Sequence, residues 1–279
     1  MVTTMEDVED PGVTMLDTGD VADLFRQCDP DGYDETRRRF YREVNMNPFK
    51  KHPESLLRMI EWSFCDWFAF ECAVDAASIA DDDENGAPRF RISRPDACRD
   101  CDCGPGHGPR NGTCAGTGSA ADRVYGKSPY LVAAERLYDC DRISAAQLAD
   151  MREVDATNFA SMFWITDANA AQSRMNVEDV MNGGRYELYC PPDAAKYDGA
   201  HGGTIVNRIA KVRGVWRPCA IAIYEARRPN TPDTRDVLVG AFGPRGYQPD
   251  FPGWLRFFYG RAKDTGLDWD DMAARMENA

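Results

Sequence analysis

The sequence predicts an α+β protein: an N-terminal helical region, a Cys-rich insertion, a small antiparallel β meander curled into a partial barrel, and C-terminal helices that pack back. Three observations predict it. Apolar residues recur at helical spacing in the first half, from Leu56, Leu57 and Ile60 to Phe64, Trp67 and Phe68. From about Asn158 the period changes to two, and Tyr186, Leu188 and Cys190 alternate with Arg185 and Glu187. Between these regions, residues 98–114 hold four of the chain's ten cysteines and one of its three histidines.

Residues 1–18 are acidic without an apolar period and are expected to form a disordered arm. Residues 19–154 form the helical region, interrupted by the insertion at about 80–127. Within it, Val21, Leu24 and Phe25 place a short helix over 20–28. Residues 34–44 read as a second helix, with Asp34/Arg38 and Glu35/Arg39 spaced for i,i+4 pairing. Pro53 suits the first position of a third helix. That helix is apolar around its girth and is expected to be central, with Trp62, Phe64, Trp67 and Phe68 in the core. Ser128-Pro129 is an N-cap followed by proline, and Ser144 with Gln147 makes a capping box.

The β domain is expected over 155–245. Strands are expected at 159–166, 174–180, 185–190, 204–212, 215–224 and 236–242, with turns at Met181–Gly184 and Arg213-Gly214. Pro218 makes its strand an edge or a bulge. Residues 246–279 close the chain with helices at 251–264 and 268–277.

Composition limits function. A chain of 279 residues with 11% aromatics can bury a substantial core. A formal charge of −13 repels phosphate backbones and anionic lipid, so nucleic acid is an unlikely partner. The most apolar run, near 56–74, contains Arg58, Glu61, Asp66 and Glu71, which argues against a bilayer span. The opening residues are acidic and polar without a signal-peptide pattern, so a cytoplasmic location is expected. There, cysteines serve as free thiols or metal ligands more often than as disulfides.

The candidate chemistry is zinc. Cys98, Cys101, Cys103, His107 and Cys114 are five candidate ligands for a metal that needs four. Cys98-x-x-Cys101 has knuckle spacing, Cys101-x-Cys103 is an alternative close pair, and the glycines at 104, 106, 108 and 112 let the backbone fold back. Free thiols, or a redox-active loop, are the other readings of the same residues. The insertion is locally basic, with Arg89, Arg91, Arg94, Arg99, Arg110, Arg123 and Lys127. That suits docking on an acidic partner or on phosphate, and it equally suits a solvated loop. His201, in Gly-Ala-His-Gly-Gly, is the one candidate base, and no nucleophile motif, GxGxxG, Walker A or HExxH pattern accompanies it.

Cys101-Asp-Cys103-Gly104-Pro105-Gly106 resembles the opening of the SEC-C zinc motif, found at the C-terminus of the protein-export ATPase and in small bacterial proteins. Cys101 and Cys103 match its first two ligands. Cys114 falls later than the pattern asks and lacks an adjacent Cys or His, so Cys98 and His107 would substitute. The flanking Glu61-Trp62 to Phe68 stretch is similar in order to proteins carrying that motif. So are Asp179, Gly183 to Tyr186, Gly203, Arg208 and Gly214 to Trp216. The resemblance implies zinc and contact with a protein or nucleic acid. The expected function is a non-enzymatic, zinc-stapled interaction or adaptor protein with a protein partner. An enzyme with a cleft site near His201 is the alternative, and a nucleic-acid-binding module is third.

Overall fold

The structure is a computed structural model that describes residues 4–6, 13–46, 51–74, 92, 126–226, 231–244 and 246–260. Helices and strands are both present, and they meet along two neighbouring strands.

The helical layer forms where the sequence caps it. Asp17 accepts from the Gly19 and Asp20 amides and starts α1 (Thr18–Cys28). Asp29, followed by Pro30, starts α2 (Pro30–Val44), which ends at Asn45 in the left-handed region, φ 62°. Pro53 is the N-cap of α3 (Glu54–Glu71), not its first residue. Every residue from Ser63 to Phe70 of α3 is buried. Phe40 lies 5.4 Å from Phe64 and 5.2 Å from Trp67, and Phe68 is edge-on to Phe25 and Tyr33. The first half of α3 is amphipathic instead, and Trp62, expected in the core, is 52% exposed. An i,i+4 pair on α2 joins Arg39 to Glu43 at 4.0 Å.

Residues 13–18 belong to the body, against the expectation of a disordered arm over 1–18. The segment β1 (Thr4–Glu6) pairs antiparallel with β2 (Thr14–Leu16). Val13 and Leu16 are buried, and the Leu16 N–H donates to the Tyr130 hydroxyl at 3.1 Å. Two apolar residues without a period are enough once a buried tyrosine accepts the backbone between them.

The insertion leaves and rejoins the body at one point. The Val74 N–H donates to the Lys127 carbonyl at 2.9 Å. A Cβ on Gly126 would lie 2.3 Å from the Val74 oxygen, so the two chain segments touch. Ile92 is buried, bridges Val74, and gives its N–H to the Asp29 carboxylate. Ser128 then caps α4 (Pro129–Asp139), and the Ser144/Gln147 capping box opens α5 (Ala145–Thr157).

The β region curls into a barrel, as expected, and one parallel contact closes it into a mixed ring. Strands β3 (Phe159–Asn169), β4 (Arg174–Asp179) and β5 (Arg185–Tyr189) run as a meander. A crossover through α6 (Pro191–Lys196) then sets β6 (Thr204–Val212) antiparallel beside β3. The Arg213-Gly214 turn has φ 50° and 82°, both positive, as a tight two-residue hairpin requires. It folds β7 (Val215–Pro218) back onto β6, and β7 meets β5 in parallel at Leu188–Trp216, which closes the ring. β8 (Tyr224–Ala226) extends the same edge of β6 beyond Pro218.

Inside the barrel lie Phe163, Ile165, Met175, Val177, Leu188, Ile205 and Ile209. The outer faces of β3 and β6 carry Met162, Trp164, Val206, Ala210 and Val212 into the helical core. β6 is therefore buried on both sides along nearly its whole length, its polar residues Asn207 and Arg208 included.

Residues 236–242, expected as a strand, lie in α7 (Pro232–Phe242), which Thr231 caps with Pro232 at its first position. α8 (Phe251–Leu255) and a π-turn at Arg256–Gly260 close the described chain, with Tyr224 stacked on Phe258 at 4.1 Å. The rest of the two expected C-terminal helices lies outside the described residues. Among the described residues, no helix is long and apolar enough to cross a membrane.

Phe68 has no exposed surface and touches rings from α1 and α2. Phe68→Ala is expected to cost about 3–5 kcal/mol of unfolding free energy in a urea titration. A loss under about 1 kcal/mol would place α3 outside the core.

Candidate functional site

Polar side chains collect where the helical layer meets the barrel. Successive β6 residues face opposite ways. Ile205, Asn207 and Ile209 point into the barrel, while Val206, Arg208 and Ala210 point to the helices. Arg208 is thereby carried into the junction and is 3% exposed. Its guanidinium donates to Asn158 Oδ1 at 2.7 Å, at the end of α5, and pairs with Glu71, the last residue of α3. Its plane lies 5.2 Å from the Phe70 ring centre and 5.1 Å from that of Phe251 in α8. One cation thus joins α3, α5, α8 and β6.

Asp66 lies in the same junction, 4% exposed in the all-buried half of α3. The Thr18 hydroxyl donates to its Oδ1 at 2.6 Å. Asp66 Oδ2 and Arg208 Nε have no hydrogen-bond partner among the described residues. Burial pushes the Asp66 carboxyl up to about 7, against the opposing influence of the Thr18 hydroxyl, Arg208 and the Ile221 amide. Burial also pushes the Cys65, Cys72, Cys190 and Cys219 thiols up to about 12, so these are protonated, inert sulfurs at neutral pH.

The other strong polar contacts are structural ties. Arg213 grips Asp150 with two hydrogen bonds, 2.8 and 2.6 Å, and holds the β6–β7 turn on α5. Arg37 and the Tyr41 hydroxyl converge on Glu61 between α2 and α3. Burial opposes the Glu61 carboxylate, and these donors outweigh it and hold its pKa below the ordinary value. Arg235 holds Glu178 low through a charged hydrogen bond and ties α7 to β4. The Asp179 carboxylate takes the Ser161 hydroxyl and the Met181 and Asn182 amides, which fixes the β4–β5 turn.

None of the expected zinc ligands can be placed: Cys98, Cys101, Cys103, His107 and Cys114 all lie outside the described residues. Among the described residues, no three His, Cys, Asp or Glu side chains are grouped to hold a metal. His201 does not sit in a cleft between helices and barrel. Its ring is 77% exposed, with Nδ1 3.2 Å from the Thr166 carbonyl and 3.9 Å from an Asp167 oxygen.

The barrel's outward face on β4 and β5 bears on nucleic-acid binding. Five-stranded Greek-key barrels of the OB type bind oligonucleotides on the face of their second and third strands. Here that face carries the ion pairs Arg174–Glu187 and Glu178–Arg235, beside the exposed Arg185 and a Tyr189 ring covered by Arg217. Trp216 packs edge-on against the rings of Phe159 and Tyr186, which are tilted to each other, at one end of the barrel, with centroids 4.9–5.9 Å apart.

Cys101 to Gly106, which opened the SEC-C resemblance, lie outside the described residues, and the β-region residues that shared in it take structural roles here. Asp179 and Gly183 make a turn, Tyr186 and Trp216 pack at the barrel end, and Arg208 joins the layers. No family model matches the chain, and neither a curated protein nor a solved structure matches it. Asp66 and Arg208 were missed as a pair by sequence reasoning, although each left a signal. One is a lone acid between Cys65 and Trp67, the other a lone cation between Asn207 and Ile209 in a β-rich run.

Arg208→Met is expected to cost about 3 kcal/mol in urea unfolding, because it leaves buried Asn158 without its donor and takes its cation from Glu71, whose side chain is a third exposed. Adding Glu71→Gln to it should recover part of that loss. A single-variant cost under about 1 kcal/mol would remove Arg208 as the joint.

Proposed function

We propose that this is a non-enzymatic interaction protein whose body presents a zinc-stapled segment to a protein partner. Cys101, Cys103 and Cys114 would hold the metal, with Cys98 or His107 as the fourth ligand. Zinc in such a set orders the backbone around it and does no chemistry of its own.

The observation that carries this reading is the clamp at the base of the insertion. Val74 and Lys127 are joined by a backbone hydrogen bond, and α3 and α4 continue on either side. A segment held at both ends by a capped, packed body can be shaped by a metal without the body depending on it. This differs from a zinc finger, in which metal binding supplies the folding free energy.

Two further observations favour binding over catalysis. The strong carboxylate–guanidinium pairs of the body are spent on joining elements. The thiols Cys65, Cys72, Cys190 and Cys219 are held protonated by burial. The enzyme reading depended on a cleft at His201, and that ring stands in solvent. The charge of −13 and the ion-paired barrel face weigh against a nucleic-acid partner.

Protein purified without chelator should carry about one zinc per chain by elemental analysis. A content near zero, with the thiols of 98–114 freely alkylated, rejects the proposal. The double change Cys101→Ser, Cys103→Ser should leave far-UV circular dichroism and the main melting transition nearly unchanged. It should also open residues 95–115 to protease. Global unfolding of that variant would show that the segment belongs to the core.

A further inference from the structure

We propose that Asn182 is a site of spontaneous deamidation, and that Asp179 guards it while the turn between β4 and β5 is closed. Asn182 and Gly183 are exposed in that turn. The reaction needs only water. The Gly183 backbone nitrogen attacks Asn182 Cγ, an N–Cγ bond forms, and the Cγ–Nδ2 bond breaks. The Gly183 nitrogen loses its proton to solvent base, and Nδ2 takes one up and leaves as ammonia. Water then opens the succinimide ring at either carbonyl, which gives aspartate or isoaspartate. A glycine after the asparagine favours ring closure, because no Cβ crowds the attacking nitrogen. The turn itself asks for that glycine, since Gly183 has φ 78°.

Asp179 holds both reacting groups. It is 1% exposed, and its Oδ1 accepts from the Ser161 hydroxyl at 2.6 Å and from the Met181 and Asn182 N–H groups at 2.9 and 3.0 Å. Its Oδ2 accepts from Asn182 Nδ2 at 2.8 Å. A carboxylate has no proton to give, so the side-chain nitrogen of Asn182, and not its oxygen, must face it. The Asp179 backbone carbonyl accepts the Gly183 N–H at 2.8 Å. The attacking nitrogen is thus tied through its proton, and the carbon it would attack is tied through Nδ2.

Ring closure breaks both bonds, so it proceeds from an opened turn, and its rate follows the population of that open form. Each bond adds to the cost of opening, the one to the carboxylate more than the one to the carbonyl. The product does not fit the same turn. Either ring opening leaves a carboxylate at 182 where an amide donated to Asp179 Oδ2, and isoaspartate also adds one carbon to the backbone. Two like charges at that distance oppose closure.

Incubation in mildly alkaline buffer, with fragment-ion mass spectrometry of the peptide that contains residue 182, tests this. The native protein should deamidate at Asn182 at least about tenfold more slowly than the same chain unfolded in urea. Asp179→Asn keeps the shape, the backbone carbonyl and one oxygen for the amides of the turn. It sets an NH2 group against Asn182 Nδ2, where Oδ2 accepted. With circular dichroism unchanged, it should raise the native rate at Asn182 by at least about threefold. A smaller native-to-unfolded ratio in the wild type overturns the proposal, as does a smaller rise in Asp179→Asn. If Asp179→Asn does not fold, Ser161→Ala replaces it: this variant frees the carboxylate from its hydroxyl donor on β3 and should also speed deamidation, and a rate equal to that of the wild type overturns the proposal.

Discussion

A single buried guanidinium sets how the two halves of this molecule meet. Arg208 leaves the outer face of β6 and reaches the C-terminal end of α3, the end of α5 and a ring of α8 at once. Removing such a charge from water is expensive, and the carboxylate, the amide and the two rings around it offset that cost. The partners come from segments far apart in the chain, at 70–71, 158 and 251. Their positions relative to β6 are therefore fixed together. An apolar contact at the same place would tolerate sliding; a planar cation between two rings, with a carboxylate and an amide at its edge, does not.

β6 can carry this burden because it is buried on both faces. Its inward residues complete the barrel interior, and its outward residues complete the helical core. Closure of the barrel through β5 and β7 leaves this strand no freedom to shift register. A slip of one residue would turn Arg208 into the barrel and Ile209 toward the helices. The small barrel thus acts as a rigid mount, and the helical layer takes its orientation from it.

The local layer of this architecture was legible in the sequence, and the non-local layer was not. Ser128-Pro129, the Ser144/Gln147 box and the Arg213-Gly214 turn are signals spanning a few residues, and each forms as expected. The β5–β7 contact joins residues 188 and 216 through a crossover, and no short window records it, so the sequence showed a meander curled into a partial barrel without the parallel contact that closes it. In α7, the run Val237-Leu238-Val239 favoured a strand by side-chain type, yet Thr231-Pro232 is a helix start that outweighs it. Trp62 shows the opposite error: an aromatic beside a buried half-helix was assigned to the core, although its row on α3 is shared with Arg58 and faces solvent. Of the candidate site, the cysteine spacing was legible as a pattern of ligands. The Asp66–Arg208 junction was not, because the burial that gives each residue its character arises only when α1, α3 and β6 assemble.

The hydrogen bond between Val74 and Lys127 also has an evolutionary consequence. With both ends of the 75–125 segment held together, its length enters the energetics of the body mainly through closure entropy. That cost grows by only about 0.6 kcal/mol for each doubling of a flexible loop. A change in the length of such a loop would bear less on the body than a change at the buried positions of the helices and the barrel. Related chains should therefore differ most in length between α3 and α4, and they should agree best at the buried positions of α3 and β6.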